Sequence, residues 1–454
     1  MQVDPAATVI HGTLLHTPVF GAVEILDNTL LSVDSTGRIA GIDRSGSSEA
    51  ERILATARQS GNLVTLEAGQ YLLPGLVDLH IHAPQWPQLG KALHLPLNEW
   101  LQQCTFPLEA KYDDVEFARL SYSSLVDNLL ANGTTTATYF GTVHLEATKL
   151  LADIACNKGQ RAIVGKVAMD NVGECPDFYR DESTGAGLDG TRSLIEHING
   201  MQGNNQLVMP AVTPRFIPSC TDEMLAGLAH IAEEYGCHIQ THCSESDWEH
   251  AYVLERHGIN DTHSLDRIGL LTDKTILAHS ILIDAQDMQT IKARQSGVAH
   301  CPLSNLYFSH AVFPARKALD MGLKVGLGTD ISGGPSPSVL HNCQVAVNVS
   351  RALEDGVDPG LPADKRGVPE SRIDFREAFW MATVGGAKTL GLDVGQFTVG
   401  YNFDAMLIDT NVSESDLQVW DGTDTVDDIL QKMIYNADRR NISKVWVQGR
   451  LVRE

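Results

Sequence analysis

Residues 7 to about 70 read as short β segments broken by turns: TVIHGTLL, AVEILDNTLLSVD and, after the turn at Ser35 to Gly37, GRIAGID. From Tyr71 the texture changes, and short apolar runs alternate with amphipathic stretches of helical period, the pattern of parallel βα units. The runs are YLLPGLVDLHIH (71–82), TTTATYF (134–140), RAIVGKVAMD (161–170), LVMPAVTPRF (207–216), HIQTHCSE (238–245), TILAHS (275–280), GVAHCPLSN (297–305) and KVGLGTD (324–330). Eight such strands separated by helices predict a (β/α)8 barrel of the TIM type. Between the first two, Val115, Phe117, Ala118, Leu125, Leu129 and Leu130 share a helical face, and Asn132-Gly133 stops the helix. Residues 375–392 fit the last helix. Past residue 393 the β texture returns in YNFDAMLID and KVWVQGRLV. Neither chain end holds enough strands for a stable sheet. Residues 1–70 and 393–454 are therefore expected to pair as one small β-sandwich domain, with the catalytic barrel, 71–392, inserted in it. Two independent flaps packed on the barrel are the alternative at this stage. The polar SGSSEAE near residue 45 is the one low-complexity stretch.

Charge narrows the function classes. Lys plus Arg number 34 and Asp plus Glu 57, a formal net charge of −23. Such a polyanion repels phosphate backbones and anionic lipid, so neither nucleic acid nor a membrane surface is an expected partner. The opening MQVDPAATVIHG lacks the basic and apolar blocks of a signal peptide, and no window approaches the ~20 apolar residues of a membrane span. Eight cysteines without a CxxC pair read as free thiols in a reducing compartment, so the expected location is cytoplasmic.

The sharpest chemical signal is PGLVDLHIHAPQ, where His80 and His82 stand two apart at the C-terminal end of the first strand. Period-two spacing points both imidazoles to one side, and the inward side at that end of a barrel is its active site. Strand five ends in His242, strand six in His279 and strand eight in Asp330. Five metal-competent side chains at four strand mouths converge on one point. Nitrogen ligands plus one carboxylate suit Zn²⁺ or Fe²⁺ better than Mg²⁺ or Ca²⁺. Glu245, three residues after His242, is placed to reach over the metal as general acid and base if the pocket raises its pKa. Cys243 should point away from the metal because side chains alternate along a strand, and Cys301 has no base beside it. Lys166 reads as a buried ion-pair partner or a rim residue. The nucleophile elbow, phosphate loop, dinucleotide fingerprint, HExxH and cytidine-deaminase patterns are all missing from the sequence.

With these residues in place the chain resembles the amidohydrolase superfamily and, within it, the guanine deaminase family. The superfamily is marked by H-x-H, a later His and GTD. The more specific stretches are Gln85, LPLNEWLQQCTFP (95–107), NGTTTATYF, VTPRF (212–216), H-x-x-E in HIQTHCSE, AHCPLSN and GLGTDISGG. The likeness runs from about residue 70 to the C-terminus, more weakly before it. One departure is Leu303 in AHCPLSN, where the family has a polar residue.

The resemblance implies one zinc ion per subunit on His80, His82, His242 and Asp330, with His279 holding the attacking water. Binuclear barrels of this kind resemble one another in using a carboxylated lysine at the end of strand four, where this chain has Arg215. It also implies that Asp330 accepts the water's proton, that Glu245 protonates the purine ring and then the departing amine, and that guanine becomes xanthine and ammonia. His82, His242, Glu245 and Asp330 would all touch the base. Arg215 and Gln85 would set specificity: arginine donates only, so it pairs with a purine carbonyl, whereas adenine's amine would leave a buried charge unpaired. Phe216 would add an aromatic face or its backbone N–H. A homodimer is implied, and the Trp100 segment is the candidate closing loop. Two rivals remain at this stage: a superfamily relative acting on cytosine, a triazine, 8-oxoguanine or an adenosyl thioether, and a non-catalytic scaffold.

Overall fold

Gly75 divides the first apolar run between two sheets. In the computed structural model of the protein, which describes residues 7–309 and 311–454, Gln70–Pro74 pairs antiparallel with Ala405–Asp409, while Leu76–His82 opens the barrel. The expected single strand over 71–82 is therefore two strands. A side chain at Gly75 would meet Thr135 at 2.2 Å, so only glycine lets the chain pass between the sheets. Residues 1–6, where the segment read for a targeting signal begins, lie outside the described residues.

The two chain ends build one mixed sheet. Gln70–Pro74 is its centre, flanked by Thr8–Val19, Ala22–Val33 and Ile39–Arg44 on one side and by Ala405–Asp409, Ile442–Val447 and Arg450–Arg453 on the other. The edge strand Ile39–Arg44 also meets the segment that leads into Ala405–Asp409, the Ile39 N–H donating to the Tyr401 carbonyl and the Phe403 N–H to that of Gly37, both at 2.8 Å, so the sheet curls. Ile10, Leu14, Leu31, Leu72, Leu407 and Trp446 fill the core it encloses. Its other face, with Leu15, Leu73, Met406 and Ile408, joins the large core of the barrel's helices. The polar stretch near residue 45 leads into a helix, Ser48–Ser60, whose N-cap Ser47 accepts from the Ala50 N–H and whose Ala50, Leu54 and Ala57 are buried.

The barrel strands are Leu76–His82, Thr134–Phe140, Arg161–Gly165, Val208–Pro214, His238–Cys243, Thr275–His279, Gly297–His300 and Lys324–Leu327, parallel and in sequence order. The seventh run is a shorter strand than expected: Pro302 starts a helix, Pro302–Phe308, as a proline does at a first turn. Strands one and eight close the barrel through the loop after the eighth, where the Asp330 N–H donates to the His80 carbonyl (2.8 Å) and the His82 N–H to that of Ile331 (3.0 Å). The first helix spans Val115–Ala131 and ends at Asn132-Gly133; the last runs from Phe375 to Leu390 through one π turn. Arg161 grips Asp404 with two bonds of 3.1 Å, a buried pair that ties strand three to the terminal sheet. Among the described residues no helix is long and apolar enough to cross a membrane, and all eight cysteines are free.

Candidate metal centre and pocket

Strand alternation aims His80 and His82 to one side while Leu79 and Ile81 pack in the hydrophobic cores. His242 closes on them from strand five, its Nε2 3.0 Å from that of His82. His80 Nε2 lies 3.2 Å, and His82 Nε2 3.6 Å, from Asp330 Oδ1. His279 Nε2 lies 3.5 Å from Glu245 Oε1 and 3.8 Å from Asp330 Oδ2. The five side chains expected to converge do so, all buried.

Burial holds the histidines neutral: the pKa of His80, His82 and His242 is driven well down by desolvation, reinforced by the other imidazoles, and that of His279 is lowered by burial. The His242 Nδ1–H donates to the Arg215 carbonyl at 2.6 Å, which leaves the Nε2 lone pair facing the cluster. His80 Nε2 and His279 Nε2 are buried and have no hydrogen-bond partner among the described residues. Neutral nitrogens with lone pairs turned toward one carboxylate are what a cation needs, so this donor set fits a single divalent ion.

The backbone is bent to reach this geometry. Ser244, His279, Ser280 and Asp330 all adopt positive φ, between 49° and 67°, where side chains other than glycine are strained. Asp78 holds the last of these turns, accepting from the Thr329 N–H (2.9 Å) and hydroxyl (2.5 Å), and burial pushes its carboxyl up to about 7. Nothing in the sequence reading singled it out. Asp78→Ala strands a buried N–H and is expected to lower unfolding stability by about 1–3 kcal/mol, read from denaturant unfolding. An unchanged midpoint would mean that the loop is held elsewhere.

Beside the cluster is a narrow pocket lined by Gln85, Trp100, Arg215, Phe216, Glu245 and Phe308 among others. Trp100 packs on Phe308, ring centroids 5.0 Å apart, and both line the pocket. The Phe216 ring sits 6.1 Å from that of His242 and 5.8 Å from that of Trp248. Leu303 lies on the short helix, half-buried and away from the pocket lining. Burial pushes the Glu245 carboxyl up to about 8, with Asp330 adding to the rise and Arg215 opposing it. Lys166 is a buried ion-pair partner, 2.6 Å from Asp181, and Cys243 faces the helix layer near Thr262.

One expectation changes. The Arg215 charge is not free to be left unpaired by a wrong substrate, because Glu109, fully buried, takes its Nη1 and Nη2 hydrogens at 2.7 and 3.2 Å. Arg215 lines the pocket with its remaining N–H donors. Glu109 also accepts from the Tyr179 hydroxyl (2.6 Å) and from Gln85 Nε2 (2.9 Å), while Gln85 Oε1 accepts from the Ser332 N–H and hydroxyl at 3.1 and 3.3 Å. A carboxylate only accepts and a backbone N–H only donates, so the Gln85 amide has one orientation and presents its second N–H. Both polar groups on this wall are donors. Glu109 escaped the sequence reading although it lies two residues beyond the LPLNEWLQQCTFP stretch.

Residues 71–452 match the amidohydrolase family. The guanine deaminase of Dictyostelium discoideum is 36% identical over 464 aligned residues, covering 100% of both chains, and that of Homo sapiens 36% identical over 459, covering 99% of this chain and 98% of that one. Among solved structures, a guanine deaminase from C. acetobutylicum with guanine bound in its active site superposes with a TM-score of 0.87 at 30% identity, over 98% of this chain and 99% of that one. A full-length likeness of this size, on a barrel whose strand mouths carry the cluster described, means that the chain belongs to the amidohydrolase family and, within it, to the guanine deaminases.

Proposed function

We propose that this protein hydrolyses free guanine to xanthine and ammonia, using one zinc ion held by His80, His82, His242 and Asp330. The observation that carries the reading is the pairing of that neutral, buried donor set with a wall of fixed N–H donors from Arg215 and Gln85. A ring carbonyl fits such a wall and an exocyclic amine does not. A divalent ion bound at the cluster supplies a strongly acidified water and charge stabilisation for the attack.

The chain's own groups do the rest. Asp330, with His279 beside it, takes a proton from the attacking water. Glu245, whose carboxyl burial pushes up to about 8, donates to the ring nitrogen next to the amine-bearing carbon, making that carbon electrophilic. The new C–O bond forms, the proton that Asp330 took passes through Glu245 to the amine, the C–N bond breaks to release ammonia, and the hydroxyl proton returns to Glu245 as the carbonyl forms. Phe216, Trp100 and Phe308 exclude water from the face of the base.

The ultraviolet difference spectrum of zinc-loaded protein with guanine is the test, with adenine, cytosine and a triazine in parallel. Guanine alone should be converted, and metal analysis should return about one ion per chain. Turnover of one of the others in place of guanine would overturn the substrate, and catalysis indifferent to complete metal removal would overturn the centre. Light scattering checks the homodimer that family resemblance implies.

A further inference from the structure

The loop that carries Glu245 is held from below by a second acid. Glu249 lies in the first turn of the helix Asp247–His257, which Ser246 caps, and its Oε2 accepts the backbone N–H of Glu245 itself at 2.7 Å. Its exposure is 1%. On its far side its carboxyl is within hydrogen-bond reach of that of Asp261, wholly buried, from the start of the helix Asp261–Ile268. Glu249 Oε1 and Asp261 Oδ1 are both buried and find no donor among the described residues. Asp261 Oδ2 in turn faces His250 Nδ1 at 3.2 Å, and that ring reaches the surface.

Two carboxyls in contact in a dry interior cannot both be ionised, and two acceptors facing one another are joined only by a proton. We propose that Glu249 and Asp261 form a carboxyl pair sharing one proton, and that through it Glu249 is a positioning residue that fixes the backbone of Glu245 over the substrate. The proposal rests on the guanine-hydrolysing reading of the site. Around the pair stand Glu245 and Cys243 from strand five and its loop, His250 and Asp247 from the helix above, and His263 and Asp287 alongside Asn260 below. Burial is the largest cause that holds the Glu249 carboxyl well above its usual range, with the Asp261 and Glu245 charges adding to it, and the neighbouring carboxylates raise His250. Below its raised pKa the pair keeps its proton and the loop is held. As pH rises through that value the proton leaves, the two carboxylates repel, and the support under Glu245 loosens.

Glutamine copies the protonated acid, since its oxygen accepts from the Glu245 N–H while its amide donates to Asp261. Glu249→Gln should therefore keep guanine turnover within about twofold of wild type at neutral pH. Glu249→Ala should lower kcat by about 10- to 100-fold with little change in KM, as a displaced catalytic group does. Infrared difference spectra between wild type and Glu249→Gln should show the carbonyl band of a protonated carboxylic acid, and this holds even where the alanine variant fails to fold. Equal losses in the two variants, full activity in the alanine variant, or no such band would overturn the pair. Absence of guanine turnover by the wild-type protein would instead overturn the function, leaving the infrared result to decide the pair.

Discussion

Replacing Glu245 by glutamine is expected to lower kcat for guanine by about 10²- to 10⁴-fold while leaving the metal content unchanged. Glutamine keeps the shape and can still donate a hydrogen bond, but it cannot release a proton to the ring and take another for the amine. Glu245 Oε1 sits 3.5 Å from His279 Nε2, and the four proposed ligands do not include it, so the ion should bind as before. The pH profile gives a second reading. Burial pushes the Glu245 carboxyl up to about 8, so the acid is present below that pH and is lost as pH rises through it. A cation held at the histidines opposes the rise, so in the metal-loaded enzyme the decline in kcat belongs at or below about pH 8. The residual rate of the glutamine variant should lack this decline. Unchanged turnover, or a profile identical to wild type, would remove Glu245 from the proton transfers.

The parts of this site that the sequence made legible are those written in strand periodicity. His80 and His82 are two apart on one strand, and His242, His279 and Asp330 each end an apolar run, so knowing the barrel places all five at one mouth. The two chain ends were likewise readable as one domain, because neither alone supplies enough strands. What escaped depends on contacts between distant segments with no periodic trace. Glu109 sits on an excursion of short helices after strand one and meets Arg215, 106 residues later. Asp78 reads as one more residue of a buried strand until Thr329, which follows the eighth strand, folds onto it. The split at Gly75 is of the same kind, since what crowds that glycine is Thr135 on the next strand. The helix Ser48–Ser60 did leave a trace, in Ala50, Leu54 and Ala57 at helical spacing after a capping serine, which the polar composition around it obscured.

Arg215→Met is expected to abolish guanine turnover, cutting kcat/KM by about 10⁴-fold, because a donor wall is replaced by an apolar one where the base needs hydrogen bonds. Glu109 makes this single variant hard to interpret. Without the arginine its carboxylate stays fully buried with only Tyr179 and Gln85 as donors, and removing one partner of a buried pair costs about 3–5 kcal/mol. A loss of activity by Arg215→Met could then reflect unfolding rather than recognition. Adding Glu109→Gln separates the two. The uncompensated charge disappears, while the amide oxygen can still accept from Gln85 Nε2 and the amide N–H can donate to the Tyr179 hydroxyl, so the double variant should regain most of the stability lost by Arg215→Met. It should not regain guanine turnover, because the donors facing the base are still missing. Unfolding in denaturant and kcat/KM on the wild type, both single variants and the double variant close the cycle. If stability returned and guanine turnover returned with it, Arg215 would be a structural cation whose role ends at Glu109, and the recognition of the base would have to lie with Gln85 and the Phe216 backbone.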